Sequence, residues 1–109
     1  MNETNDLTTD LTKDSVQPHQ FDFGEALRLL KEGCKVARLG WNGKGMFAYY
    51  VPANKYPASR NTLNTIKGLF EDDLVPYRAY LALKTAQNDI ATWNPSTSDI
   101  LAEDWITVE

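Results

Sequence analysis

Two β-forming stretches, CKVARL and MFAYYV, joined by the short sequence GWNGKG, constrain the fold of this chain most strongly. Asn42-Gly43 is among the strongest short signals for a hairpin turn, because both residues tolerate a positive φ angle. MFAYYV is rich in aromatic and other β-forming residues, as strands are. The pattern therefore predicts a β-hairpin over residues 34–51.

A helix is predicted immediately before this hairpin, in FDFGEALRLLKEGCK. Four apolar residues have the i, i+3, i+4, i+7 spacing of one helix face: Phe23, Ala26, Leu27 and Leu30. Asp22 can cap the first turn, and Gly33 suits the left-handed position that ends a helix. We therefore predict a helix over residues 23–32.

The rest of the chain contains segments with weak signals for secondary structure and segments with clear ones. Residues 52–76 indicate a loop, one or two helical turns and an acidic bend. YRAYLALKTA, IATW and WITVE each predict a strand, and SDILAEDW predicts a helix of fewer than three turns. The order predicts an α+β fold, a small single domain with a mainly antiparallel sheet, an N-terminal helix and a short C-terminal helix. Because so small a core buries little apolar surface, we expect a homo-oligomer.

The distribution of charge separates a tail from a domain. Residues 1–20 carry four acidic side chains and one lysine, which predicts a disordered or loosely ordered acidic tail before a domain over residues 21–109. The domain has 10 basic and 11 acidic side chains, without the basic excess that binds long nucleic acid. No apolar run approaches membrane-spanning length, and no secretory signal is recognisable. We expect a cytoplasmic protein with neither a membrane nor long nucleic acid as partner.

Few residues are suited to catalysis or metal binding. Cys34 is the only cysteine, which excludes an internal disulfide and fits a reducing compartment, and His19 is the only histidine. A zinc site of Cys and His ligands or a histidine-based triad is therefore hard to build. The acidic run at residues 71–73 lacks further ligands. We expect no catalytic residue, no metal and no cofactor, and favour binding over catalysis.

Two tryptophan-containing clusters are the candidates for a binding site. Trp41 adjoins a glycine-flanked turn at residues 43–45, where backbone N–H groups can approach a ligand and the indole can stack on a base. Trp93 and Trp105 flank a helix start at Ser96, whose N–H groups can hold a phosphate or ribose. The alternatives are that Trp41 anchors the core, and that the second cluster is a capped helix with two core tryptophans.

A strand face supplies candidate cations. Arg78, Tyr80 and Lys84 alternate along YRAYLALKTA, so they share one face of the predicted strand. The two cations could neutralise phosphates beside the tyrosine. The alternative is an ordinary solvated strand face.

Four stretches together resemble the second Thoeris anti-defence family, small phage proteins that sequester an immune signal. They are FGEAL (23–27), VARLGWNGKGMF (36–47), YRAYLALKTA (77–86) and WNPSTSDILAEDW (93–105). The resemblance implies binding of glycocyclic ADP-ribose, a messenger made by TIR-domain proteins, without cleavage, which keeps the Thoeris effector silent. It also implies a homo-oligomer, typically a tetramer with pockets at subunit interfaces, and in some members a separate site for cyclic dinucleotides. The chain departs from the family pattern at residues 87–89, at Thr97 and throughout 52–75.

A messenger with an adenine, two phosphates and riboses needs an aromatic platform, phosphate partners and polar ribose partners. Trp41 with Tyr49 or Tyr50 is expected to supply the platform. The predicted ligand-binding residues are Trp41, Asn42, Tyr49, Arg78, Tyr80, Lys84, Trp93, Ser96, Ser98 and Asp99. Three alternatives remain open: an enzyme that degrades the nucleotide, with a carboxylate such as Asp99 as general base, a protein–protein interaction module, and a structural phage protein without a ligand.

Overall fold

The computed structural model of the chain describes residues 18–109. Most of the predicted acidic tail, residues 1–17, lies outside the described residues. The helices are α1 Phe23–Lys31, α2 Leu63–Ile66 and α3 Thr97–Leu101, with a 3-10 helix at Glu71–Asp73. The strands are β1 Lys35–Arg38, β2 Phe47–Val51, β3 Asn54–Pro57, β4 Leu74–Tyr77, β5 Tyr80–Lys84, β6 Ile90–Thr92 and β7 Trp105–Val108. The predicted α+β class is confirmed.

Five of these strands form one antiparallel sheet in the order β6-β5-β2-β1-β7. Val36 of β1 pairs with Ala48 of β2, which in turn pairs with Leu83 of β5. Since side chains alternate along a strand and paired residues share a face, this register assigns each residue of the sheet to one of two faces. The predicted mainly antiparallel sheet is therefore confirmed.

Helix α1 covers one face of that sheet and begins and ends as its sequence predicts. The Asp22 side chain accepts the Glu25 N–H at 2.9 Å, and Gly33 adopts a φ of 94° just beyond the helix. The apolar stripe of α1 packs on the sheet because burial of that stripe removes apolar surface from water. The core cluster of fully buried side chains consists of Ala26, Leu30, Val36, Ala48 and Trp105. Ala82 of β5 is also fully buried.

The hairpin pairing of β1 with β2 is confirmed, but the tight Asn42-Gly43 turn is wrong. Residues 39–46 form a wider loop, and within it only Gly45 has a positive φ, of 72°. The loop leaves the pairing of β1 with β2 because its first two residues, Leu39 and Gly40, bond to Asp104 instead. Asp104 accepts the Leu39 N–H through its carbonyl at 3.0 Å and the Gly40 N–H through its carboxylate at 2.8 Å.

A two-stranded arm, residues 52–79, extends from the ends of β2 and β5. The prediction of a loop at its start is wrong, because β3 pairs with β4 across the arm, from Asn54 opposite Tyr77 to Pro57 opposite Leu74. The predicted helical turn is present as α2. The predicted strand YRAYLALKTA is divided, since its first residue ends β4 and β5 begins at Tyr80.

Candidate ligand-binding site

The two tryptophan clusters of the sequence come together at one end of the sheet. The Trp41 and Trp93 rings meet edge to face with their centroids 6.0 Å apart, and Trp105 lies 5.4 Å from Trp41 and 5.9 Å from Trp93. Trp105 is fully buried, whereas Trp41 and Trp93 are half-buried. The core interpretation is therefore confirmed for Trp105. Trp41 and Trp93 keep aromatic surface exposed beside it, in the edge-to-face geometry that aromatic pairs favour.

Asp99 connects the loop at residues 39–46 to helix α3. Its Oδ2 accepts the Ser96 N–H and Ser96 Oγ accepts the Asp99 N–H, both at 3.1 Å, which completes the predicted capping box. Its Oδ1 accepts Arg38 Nη1 at 3.0 Å and the Trp41 indole N–H at 3.2 Å. Its carbonyl accepts the Trp105 indole N–H at 2.9 Å. This carboxylate is thus buried with its partners in place, as buried charges require.

Arg38 is the residue that sequence reasoning missed. It lies opposite Trp105 in the sheet, and it bridges Asp99 and Asp104, with Nε 2.8 Å from Asp104 Oδ1. A charged residue on the same face of β1 as the buried Val36, together with two acids near β7, is the signal that could have found this cluster. Because its guanidinium bonds to both Asp99 and Asp104, Arg38 joins the loop at residues 39–46 and helix α3 to the sheet.

The charges of this cluster stabilise each other. Burial raises the pKa of Asp99, but hydrogen bonds from Arg38, the Ser96 backbone and Trp41 outweigh it, and the pKa lies below the ordinary carboxyl value. The hydrogen bond from Arg38 likewise lowers the pKa of Asp104. Hydrogen bonds to Asp104 and then Asp99 raise the pKa of Arg38. The three groups therefore remain ionised at neutral pH.

Other predicted site residues lie on the opposite face of the sheet. Ala48 faces α1, so its neighbour Tyr49 faces away, and the register places Tyr80 and Lys84 on the same outer side. Arg78 precedes β5 and is exposed in the arm. A single chain therefore does not bring these four residues to the tryptophan cluster.

The remaining predicted residues lie on the loop and on α3. Asn42 and Ser98 are exposed, and Ser96 is engaged in its cap. Over residues 18–109 no ligand-sized pocket is present, and no group of three or more metal-ligating side chains is found. None of the helices in this part of the chain has the length and apolar character needed to cross a bilayer.

Comparison with known proteins identifies relatives of this chain. A family model named Tad2-like and described as a Thoeris anti-defense 2-like domain matches residues 21–108. A protein of Bacillus phage SP01 named "Thoeris anti-defense 2" is 40% identical over 86 residues, which cover 79% of this chain and 92% of that protein. The family match at residues 21–108 spans both the loop at residues 39–46 and the C-terminal cluster.

Proposed function

Because the chain belongs to the Thoeris anti-defense 2-like family, we propose that it is a phage anti-defence protein that sequesters a nucleotide immune messenger without cleaving it. The messenger is glycocyclic ADP-ribose made by TIR-domain proteins in the host cytoplasm, and its retention keeps the Thoeris effector silent. The observation that carries the proposal is the family match over residues 21–108, which includes every described helix and strand.

The tryptophan cluster supports a stacking role in this function. Trp41 and Trp93 are half-buried, so part of each side chain remains accessible to a base. The bond from Trp41 to Asp99 holds the indole in one orientation before any ligand arrives. Pre-organisation of this kind lowers the entropy lost on binding. In the proposed site Asp99 positions Trp41, and the exposed Asn42 and Ser98 are the ribose partners.

The distribution of the other predicted residues supports a site shared between subunits. Tyr49, Tyr80 and Lys84 lie on the sheet face opposite the tryptophan cluster, and Arg78 lies on the arm. In a homo-oligomer, a second chain can bring such residues next to the first chain's Trp41. We therefore propose a homotetramer with pockets between chains, in which Arg78 and Lys84 neutralise the phosphates and Tyr49 adds aromatic surface. Cyclic dinucleotides are the second ligand class that we propose.

Sequestration and degradation are separated by the fate of the bound messenger. Glycocyclic ADP-ribose is incubated with excess protein, the mixture is ultrafiltered, and the retained fraction is heat-denatured and chromatographed. Sequestration predicts that the messenger leaves the filtrate and returns chemically intact after denaturation. A released product of different mass contradicts the proposal and indicates an enzyme. A messenger that stays in the filtrate contradicts binding itself.

A further inference from the structure

The face of the five-stranded sheet that points away from α1 is apolar and basic. Strand alternation and register place Lys35 and Lys84 on it. The same register places on it, among its apolar residues, Phe47, Tyr49, Tyr80 and Ile90. We call this surface the open face. Tyr80 is 43% exposed and Ile90 is 56% exposed, and large apolar side chains exposed together on one sheet face indicate a contact surface.

The two lysines of the open face lie on either side of Phe47. Phe47 lies opposite Lys84 in the pairing of β2 with β5, and Lys35 Nζ lies 5.1 Å from the centre of the Phe47 ring on the β1 side. Lys35 Nζ also donates to the main-chain oxygen of Glu109 at 3.0 Å. The five strands contain no acidic residue, and within residues 18–109 no carboxylate lies within salt-bridge distance of Lys84. A partner with acidic and apolar groups side by side would therefore match this surface.

The sequence that precedes the domain has that chemistry. Residues 1–17, which we call the acidic segment, carry one lysine and four acidic residues: Glu3, Asp6, Asp10 and Asp14. The triplet Asp-Leu-Thr occurs twice, so Leu7 and Leu11 each directly follow an aspartate. The family match begins at residue 21, so the acidic segment lies outside the matched domain. This segment combines acidic with apolar groups, as the open face combines basic with apolar groups.

The acidic segment is attached to the domain at the edge of the same sheet. Phe21 is joined to the outer edge of β7 by two backbone hydrogen bonds with Trp105, of 2.9 and 3.1 Å. Because this bridge is antiparallel, the chain before Phe21 is directed toward Val108, which lies opposite Lys35. Neighbouring strands are about 4.8 Å apart, so Lys84 on β5 is about 14 Å from β7, and a segment of this length can extend over roughly 50 Å. The acidic segment therefore leaves the domain beside one lysine of the open face and is long enough to reach the other.

We propose that the acidic segment docks on the open face of its own chain. Leu7 and Leu11 cover Phe47 and the apolar side chains beside it, and the aspartates approach Lys84 and Lys35. Burial of apolar surface offsets part of the entropy lost when the segment is ordered, and the charges determine where it lies. Because the segment is covalently attached beside the open face, its effective concentration there is high, so contacts that are individually weak are sufficient.

Docking covers two groups that the proposed function assigns to the nucleotide. Tyr49 and Lys84 lie on the open face, where carboxylates of the acidic segment take the place of the messenger's phosphates. The segment and the messenger therefore exclude one another at this surface. This consequence rests on the proposed function, whereas the docking itself does not.

A spin label on the acidic segment of the full chain measures where that segment lies. The reporter protein carries Thr8→Cys together with Cys34→Ser, which removes the only native cysteine, so that a nitroxide attaches at one position. The nitroxide broadens the backbone amide signals of nearby residues in a chain labelled with heavy nitrogen. Docking predicts the strongest broadening at Phe47, Lys84 and Ile90, and weaker broadening in α1 on the other side of the sheet.

Charge reversals in the reporter protein test whether the open face holds the acidic segment. The face variant carries Lys35→Glu and Lys84→Glu, and the segment variant carries Asp6→Lys, Asp10→Lys and Asp14→Lys. Each variant brings like charges together, so we expect the broadening to fall at least about fivefold. The two sets combined bring opposite charges together again and are expected to restore the broadening. The control is Lys31→Glu, an exposed charge reversal at the end of α1, which is expected to leave the broadening unchanged.

Isotope mixing separates docking within one chain from docking between chains. Spin-labelled chain without heavy nitrogen is mixed and refolded with heavy-nitrogen chain that lacks the spin label. Docking within the chain predicts that the heavy-nitrogen signals stay sharp in this mixture. Spectra recorded without the nitroxide check that each variant keeps the wild-type fold.

Four outcomes overturn the inference: broadening that is absent or spread equally over the domain, broadening that the face variant leaves unchanged, a combined variant that does not recover it, and broadening that appears in the isotope mixture. Addition of glycocyclic ADP-ribose to the reporter protein is expected to remove the broadening. Broadening that persists while titration shows binding overturns the mutual exclusion and leaves the docking in place. A docked segment in a protein that binds no messenger overturns only the messenger-binding part of the proposed function.

Discussion

The Trp41 indole N–H donates to the Asp99 carboxylate at 3.2 Å, which joins two residues 58 positions apart in the chain. Through this bond the loop after β1 is attached to the first turn of α3, at the position where Arg38 also meets Asp99. The orientation of a candidate ligand platform therefore depends on a carboxylate that faces the protein interior. Substitutions at this carboxylate test both the stability of the fold and the preparation of the site.

Replacement of Asp99 is expected to destabilise the fold strongly. Asp99 is 9% exposed. Asp99→Ala removes the carboxylate half of the capping box, leaves the Trp41 N–H without its acceptor and takes from Arg38 one of its two carboxylate partners. Because the loss of one partner from a buried pair is costly, we expect the free energy of unfolding to fall by about 3 kcal/mol. Urea denaturation measures it, with Glu103→Ala, an exposed neighbour, as the control. Equal effects of the two substitutions would contradict the assignment of Asp99 as the centre of the cluster.

The stability of the fold is expected to decrease in acid. The folded-state pKa values of Asp99 and Asp104 lie below the ordinary carboxyl value, so their ionised forms favour the folded state. This stabilisation is complete above about pH 4, the pKa of these carboxyl groups in the unfolded chain. It is lost as the pH falls through their lower pKa values in the folded chain. Denaturation at a series of pH values measures it, and Asp104→Asn is expected to reduce the slope in acid. If the free energy of unfolding of the wild-type chain instead rose as the pH fell below about 4, the proposed stabilisation by ionised Asp99 and Asp104 would be refuted.

The three tryptophans are expected to differ in what their loss affects. Trp105 is fully buried, so Trp105→Ala should lower the free energy of unfolding by about 4 kcal/mol. Trp93 is half-buried, and Trp93→Ala should instead weaken nucleotide binding by about 1–3 kcal/mol, the range for base stacking. Urea denaturation and ligand titration on both variants separate the two effects. A Trp93→Ala protein that binds the messenger as the wild type does would remove Trp93 from the site.

Two glycine substitutions are expected to have opposite signs. At Gly40 an added Cβ would lie 2.9 Å from Asp104 Oδ2 and 3.3 Å from Arg38 Nη2, so Gly40→Ala must displace that ion pair and should cost about 1–3 kcal/mol. At Gly24, within α1, the nearest atom is the Asp22 carboxylate oxygen at 3.4 Å. Gly24→Ala should therefore gain about 0.5–1 kcal/mol from helix propensity. Thermal or urea unfolding measures the change in the free energy of unfolding for each variant. Changes of the same sign would contradict this prediction.

Local features of the sequence predicted much of the fold. The helix at residues 23–32 and the capping box at Ser96 are specified by residues within one or two turns, so spacing and caps were sufficient. The hairpin loop could not be predicted in the same way. Its path depends on Asp104, which lies 64 positions from Gly40 in the sequence and is placed beside it by the pairing of β7 with β1.

The candidate site was predicted less well than the fold, because its contacts join residues that lie far apart in the sequence. Arg38 acquires its significance only from two carboxylates more than 60 positions away. The separation of Tyr49 from Trp41 follows from strand register, which fixes that Ala48 faces α1. The pairing of β3 with β4 joins segments that each contain proline and show weak alternation, so the arm had no clear signal in the sequence.

Calorimetric titration of the wild-type protein with glycocyclic ADP-ribose tests the central claim most directly. Sequestration predicts a saturable heat of binding, and it predicts that the thermal unfolding midpoint rises as ligand is added, since a ligand that binds only the folded state stabilises it. The absence of both a binding heat and a thermal shift, in a sample shown to be folded, would contradict the account.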